Sequence, residues 1–554
     1  MSVSAENIGE QSDRGFFGHP WGLSTLFFTE MWERFSYYGM RAILFLYMTA
    51  KITDGGLGWS EKDAGPIFGL YAASVYFLPL IGGWLADRFI GAKRATLIGG
   101  VVIMLGHFAL AVPTLTFFYL GLVLVAVGTG FLKSNISAMV GHLYSPEDVR
   151  RDAGFSVFYM GINIGAFASP LVCGYLAQSE NFKRLISGWG INPESSWHFG
   201  FAAAGVGMFL GLIQYVLGAR NLRGVGEPPV EYFAESATGN APKTATDSTY
   251  IAQMIGLIVA AIAALILLGF VGGLIFSGLP TANDNVINIL GLGLNISLIL
   301  KYFLMPVVVL AGLTAVLLTG MQDNLTADDW KRIGVIMILF TFSTMFWMGF
   351  EQASTSLNAF ADKLTITSIG GWNFAPSYLQ AVNPLLIIIF APIIGFVWLT
   401  LGKRQPSDSI KFAIGLFFGG LGFVVVAYAS SRLGANPETE TASKVTFWWL
   451  VLVYLCHTIG ELCLSPVGLS SMTKLAPKKM VSLMLGVWFL SVSLGNYIAG
   501  QVAGEFVADS VILTGIFSKV AMFMIGAGVV LALISPLVKR LYTQPQEVVP
   551  TEPA

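Results

Sequence analysis

The 554-residue chain is 55% hydrophobic and 11% charged, with a mean hydropathy of +0.70. A soluble domain averages about 25% charged residues, so this composition excludes a soluble globular protein. The net charge of -1 and the pI near 6.5 leave no basic field for nucleic acid.

In chain order, residues 1–21 form a polar tail with no apolar core of a signal peptide, so the first spanning helix is expected to act as the insertion signal. Apolar runs of about 18 or more residues then recur. They predict helices over 22–50, 64–87, 95–112, 115–140, 153–178, 197–220, 250–277, 297–320, 332–361, 377–401, 411–431, 444–472, 481–508 and 514–540. That is an all-α membrane protein of about fourteen transmembrane helices. The eighth has a poor start point, because 279–300 is rich in Asn and Gly. Cys173, Cys456 and Cys463 lie in apolar segments; the last two share one helix and cannot bridge, and no metal-ligand spacing occurs.

Lys and Arg in the short loops favour one side by about two to one when the N-terminus is placed inside. Both termini are therefore expected in the cytoplasm, with Arg34, Arg41 and Lys133 left within the membrane. The polar stretch 221–249, with Pro228-Pro229, is expected to be a cytoplasmic linker. The layout becomes a six-helix bundle over 22–220, this linker, an inserted helix pair with its connection over 250–330, a second six-helix bundle over 331–542 and a cytoplasmic tail over 543–554. Two bundles with a cavity at the midplane fit a transporter.

The first helix carries the densest chemistry. Glu30, Glu33, Arg34, Tyr37 and Arg41 fall within a sector of about 100°. A charge at the bilayer centre costs about 2.5–3.5 kcal/mol, so these must face a wet cavity or one another. An ion or substrate pathway and a set of structural ion pairs both fit. The loop Gly82-Gly83-Trp84-Leu85-Ala86-Asp87-Arg88-Phe89-Ile90-Gly91-Ala92-Lys93-Arg94 is similar to the cytoplasmic signature G-x-x-x-D-R-x-x-G-x-K/R-R of the major facilitator superfamily. Lys133 either faces a cavity near Arg34 or snorkels to the interface. Tyr159 and Asn163 share a helix face, where Asn163 suits a polar ligand or a helix-to-helix hydrogen bond. Trp347 and Glu351 are likewise one turn apart. His457, Glu461 and Ser465-Pro466 lie on one helix that Pro466 should bend near Leu462. His457-x-x-x-Glu461 is not a zinc motif, and His457 is expected to be packed.

Glu30-x-x-Glu33-Arg34-Phe35-Ser36-Tyr37-Tyr38-Gly39 resembles the E-x-x-E-R-F-x-Y-Y-G signature of the proton-dependent oligopeptide transporters. Phe158-Tyr159-x-x-Ile162-Asn163-x-Gly165 resembles that family's F-Y-x-x-I-N-x-G-S-L, with Ala166-Phe167 in place of Ser-Leu. Phe346-Trp347…Glu351-Gln352 and Glu461-Leu462-x-x-Ser465-Pro466-x-Gly468-Leu469 also match, and the inserted helix pair resembles the bacterial members. The resemblance implies a major facilitator superfamily fold and a proton-coupled symporter that imports di- and tripeptides by alternating access. It implies that Arg34, Arg41 and Lys133 face the peptide carboxylate and that Asn163, Asn383 and Glu461 face the amino end. Tyr37, Tyr38, Tyr76, Trp347 and Trp488 would line side-chain pockets, with Tyr159 and Ser465 alongside. Phe350 stands where some members carry an acid. The second helix has no His, so Glu30, Glu33 and Glu351 are the candidate proton carriers, with Arg34 as their partner.

From their positions, Arg41 and Glu351 are expected to gate the outer mouth, and Lys133 and Glu461 the cytoplasmic one. The expectation is a monomer in the bacterial inner membrane, with no cofactor beyond protons, no metal and no enzymatic activity. A same-fold transporter of nitrate or another small anion is the alternative.

Overall fold

The computed structural model describes residues 15–145, 148, 150–222, 224–227, 286–289, 292–295, 304–322, 325–435, 437–438, 440–477 and 480–542. The N-terminal half holds α1 (Trp21–Thr49), α2 (Glu61–Leu85), α3 (Ala92–Leu110), α4 (Leu115–His142), α5 (Arg151–Gln178), α6 (Glu180–Gly188) and α7 (Ser196–Gly218). After the linker region come the paired strands β1 (Val286–Ile289) and β2 (Leu292–Asn295), then α8 (Leu304–Gln322). The C-terminal half holds α9 (Ala327–Phe350), α10 (Ser356–Leu364), α11 (Val382–Leu401), α12 (Asp408–Ser430), α13 (Trp448–Leu475), α14 (Val481–Ala503) and α15 (Ser510–Tyr542).

Among the described residues, eleven segments are long and apolar enough to cross a membrane, five before the linker and six after it. The 29-residue α1 is also long enough but carries Glu30, Glu33, Arg34 and Arg41. It tolerates them because it is enclosed by protein over most of its length rather than bathed in lipid. The expected helix 250–277 lies outside the described residues. Its partner, expected over 297–320, is the 19-residue α8.

Three differences from the sequence reading bear on the site. The helix expected over 332–361 is broken: α9 ends at Phe350, Glu351–Ser354 forms a 3-10 turn, and α10 starts at Ser356. A break frees carbonyls inside the membrane, and the Gln380 side chain takes that of Ala353. The helix expected from 377 opens as a 3-10 turn over Pro376–Ala381, and α11 proper begins at Val382. The amphipathic α6 has no counterpart among the apolar runs, because only Phe182 and Ile186 of its residues are buried.

Glycine sets two close approaches. A Cβ at Gly82 would meet the backbone carbon of Gly130 at 2.5 Å, which locks α2 onto α4. Across the two halves, a Cβ at Gly65 would meet the Gly504 nitrogen at 2.7 Å, and one at Gly69 the Gly500 Cα at 2.9 Å. Only hydrogen at these positions lets α2 and α14 touch backbone to backbone.

Candidate functional site

The charged face of α1 is inside the protein. Arg34 Nε donates to Glu30 Oε1 at 2.7 Å, one helical turn away. Glu33 Oε2 lies 3.1 Å from the same nitrogen but without hydrogen-bond geometry, and among the described residues neither Glu33 oxygen has a hydrogen-bond partner. All three side chains are 6% exposed or less. Two carboxylates thus share one guanidinium, with Glu30 taking the aligned bond. Removing one partner of a buried ion pair costs about 3–5 kcal/mol, so the cluster is held as a unit.

About two turns further along α1, Arg41 reaches the other half. It is ion-paired with Glu351 at the helix break and donates to Asn496 Oδ1 of α14 at 3.3 Å. The broken helix puts Glu351 there: it begins the 3-10 turn, at the end of α9 where the backbone leaves its helical path. Other ties between the halves gather at this same end. Asn358 Nδ2 donates to the Ala42 carbonyl at 2.8 Å, Ser493 Oγ to the Ala73 carbonyl at 2.7 Å, the Ser377 amide to Gln178 Oε1 at 3.4 Å, and Lys363 is paired with Glu61. The end of the molecule where α1 stops is therefore closed by polar contacts between the halves.

Towards the opposite end the two polar groups stand apart. Lys133 Nζ lies 3.6 Å from the centroid of the Tyr76 ring, a cation–π contact within the N-terminal half. It remains inside rather than snorkelling outward, and it lies within electrostatic reach of Arg34, Glu33 and Glu30. Among the described residues no ion pair joins it to Glu461. Glu461 Oε2 instead accepts from Asn383 Nδ2 at 3.2 Å, and the same amide donates to Thr458 Oγ1 at 2.9 Å. The N-terminal half thus supplies cations, and the C-terminal half supplies an acid with an amide. Tyr38 lies between these poles, within electrostatic reach of Arg34, Arg41, Glu351 and Glu461.

The remaining candidates divide into open and occupied groups. Tyr159 is 42% exposed on α5. Asn163 donates to the Tyr159 carbonyl at 2.9 Å within that helix, so its amide bridges a turn rather than two helices. The Tyr37 hydroxyl, Trp347 Nε1 and Ser465 Oγ are buried without a hydrogen-bond partner among the described residues. The Trp347 ring sits edge-on to Phe346 and Phe350, at 5.5 and 5.3 Å between centroids. Trp488 is 2% exposed and packs on Phe412 and over Gly468. His457 is packed as expected, with Phe423 at 5.2 Å and Phe350 at 6.1 Å. Among the described residues no cluster of three metal-ligating side chains occurs.

Sequence reasoning missed Asn496, Asn358, Thr458 and Gln380. Each is a polar side chain in or beside an apolar run, and such residues face protein rather than lipid. That rule could have flagged them, though not their partners.

A family model described as POT family matches residues 93–236 and 306–520. The chain is 40% identical to an uncharacterized transporter of Bacillus subtilis over 543 residues, covering 97% of this chain and 98% of that one. It is 36% identical to a peptide transporter of Yersinia enterocolitica, covering 96% and 97%. A di-/tripeptide transporter of Lactococcus lactis is also 36% identical, with 96% and 98% covered. Among solved structures, the crystal structure of peptide transporter POT in complex with sulfate is similar with a TM-score of 0.77 and 39% identity, covering 96% of this chain and 97% of that one. A POT family transporter in complex with 5-aminolevulinic acid is similar with a TM-score of 0.75 and 32% identity, covering 95% and 98%.

Proposed function

The chain belongs to the POT family, and from that premise we propose that it is a proton-coupled symporter importing di- and tripeptides by alternating access. One observation carries this reading: the interior holds two poles of opposite character on different halves. Arg34 and Lys133 stand on α1 and α4, and Asn383 with Glu461 on α11 and α13. A free peptide is a zwitterion of fixed backbone length, so cations for its carboxylate and an acid with amides for its ammonium select the backbone. The unpaired Tyr37 hydroxyl, Trp347 and Tyr38 are then walls that accept varied side chains.

Binding that bridges two poles on two halves couples occupancy to the angle between them. On this reading Arg41 and Glu351 hold the outer mouth shut, and Lys133 and Glu461 belong to the cytoplasmic mouth. Protonating Glu351 removes the charge that Arg41 holds and releases the outer mouth. Glu30 and Glu33, competing for Arg34, are the second place for the proton. Moving one charge inward across 100 mV supplies about 2.3 kcal/mol, in addition to any pH gradient. The nitrate alternative requires the cations alone and leaves Asn383 and Glu461 without a purpose.

The same reading places the chain in the bacterial inner membrane as a monomer with both termini in the cytoplasm. It divides the chain into bundles at 22–220 and 331–542 around the inserted pair. The test is radiolabelled dipeptide uptake into proteoliposomes with and without an inward proton gradient. Gradient-stimulated, concentrative uptake is expected. Uptake of nitrate but not dipeptide, or dipeptide uptake indifferent to the gradient, overturns the reading.

A further inference from the structure

A cleft opens in the N-terminal half where the first turn of α1 and the last turns of α7 diverge. Its volume is about 540 Å3, a size that suits a small-molecule site. It begins at Trp21, about 14 Å along α1 from Glu30 at 1.5 Å per residue, so it is separate from the peptide site. One wall is apolar. Leu210, Ile213 and Leu217 of α7 line it, and all are exposed, Leu217 to 72%. On a membrane-spanning helix such a wall contacts acyl chains.

The other wall is polar and its only charge is positive. Arg220 lines the mouth on the turn after α7 and is exposed, and no Asp or Glu lines the cleft among the described residues. Thr29 Oγ1 has one hydrogen and two neighbours, the Thr25 carbonyl at 2.7 Å and the Gln214 side chain at 2.9 Å; with that hydrogen on the nearer carbonyl, the Gln214 amide gives one hydrogen to Thr29 and keeps the other as a donor. Thr25 Oγ1 donates to the Gly218 carbonyl at 3.3 Å, which offsets part of the negative end of α7. The positive end of the 29-residue α1 starts at the same place, with Pro20 as an N-cap that offers no side-chain bond. Trp21 is half exposed at the rim, where an indole marks the edge of the hydrocarbon.

We propose that this cleft binds an anionic glycerophospholipid from the leaflet on the N-terminal side of α1. Arg220 and the Gln214 amide hold the phosphate, and an acyl chain lies along Leu210, Ile213 and Leu217. A single guanidinium beside an apolar wall matches one phosphate attached to a chain. A zwitterionic head group would bring its own cation to Arg220 and fit less well. A free phosphate would leave the leucine wall unused. This inference requires only that the chain spans a bilayer, and it is independent of what the central site carries.

The test reads the fluorescence of Trp21, taken as the difference between wild type and Trp21→Phe, in purified protein titrated with phosphatidylglycerol bearing brominated acyl chains. Quenching is expected, with phosphatidylcholine of the same chains needing about fivefold more lipid. Arg220→Gln should raise the phosphatidylglycerol requirement by about fivefold and Arg220→Lys should restore most of it, since the charge is retained. Excess glycerol phosphate should not relieve the quenching. Equal quenching by the two lipids, an unchanged titration in Arg220→Gln, or relief by glycerol phosphate each overturns the proposal. If Arg220→Gln fails to fold, the comparison of the two lipids in wild type still decides it. Quenching does not measure transport, so its failure is distinguishable from failure of the peptide reading.

Discussion

Gly500 of α14 and Gly69 of α2 touch backbone to backbone across the two halves: a Cβ built on Gly500 would lie 2.5 Å from the Gly69 Cα. No rotamer relieves that overlap, because the obstructing atoms are main chain. Gly500→Val is therefore expected to hold the outer mouth apart. Labelling of a cysteine placed above Arg41 on the outer side should rise relative to the parent, and dipeptide uptake should fall. Unchanged labelling with normal uptake would show that α2 and α14 need not close this tightly.

The Arg41–Glu351 pair joins the halves at the same end. Glu351→Gln leaves a buried guanidinium without its counter-charge, which costs the closed state about 3–5 kcal/mol, enough to shift a two-state population by about two to four decades. The same outer-side labelling should rise. Labelling that matches wild type would remove the pair from the mechanism.

Glu30 holds the aligned bond to Arg34, whereas Glu33 is near the same nitrogen without one. Glu30→Gln keeps the shape and removes the charge that a proton must neutralise. Gradient-driven accumulation is expected to vanish while exchange of labelled for unlabelled dipeptide continues. A variant that still concentrates peptide would exclude Glu30 as a proton site.

Lys133 lies over the Tyr76 ring, and among the described residues it has no carboxylate partner. Lys133→Ala should reduce dipeptide uptake by at least about tenfold, equivalent to ~1.4 kcal/mol, while the protein still inserts and purifies as a monodisperse species. Near-normal uptake would mean that the lysine only packs on the tyrosine.

Much of this protein was determined by the sequence alone, because the governing properties are local. Hydropathy over about twenty consecutive residues decides whether a segment can cross a bilayer, and it located the six spans of each half closely. The period of a helix placed Glu30, Glu33, Arg34 and Arg41 on one face before any neighbour was known. The tertiary structure decided what those groups meet. Arg41 and Glu351 are 310 residues apart in the chain, and no periodicity encodes a contact at that range. The helix break at Glu351 lies inside an unbroken apolar run, and it is stabilised by Gln380 from a different segment. Trp488 packs on Phe412 and over Gly468, contacts that depend on how helices are arranged and not on residue type. Lys133 and Glu461 are each a lone charge in the sequence. Their separation here follows from the relative position of two halves, which is a property of the assembled fold.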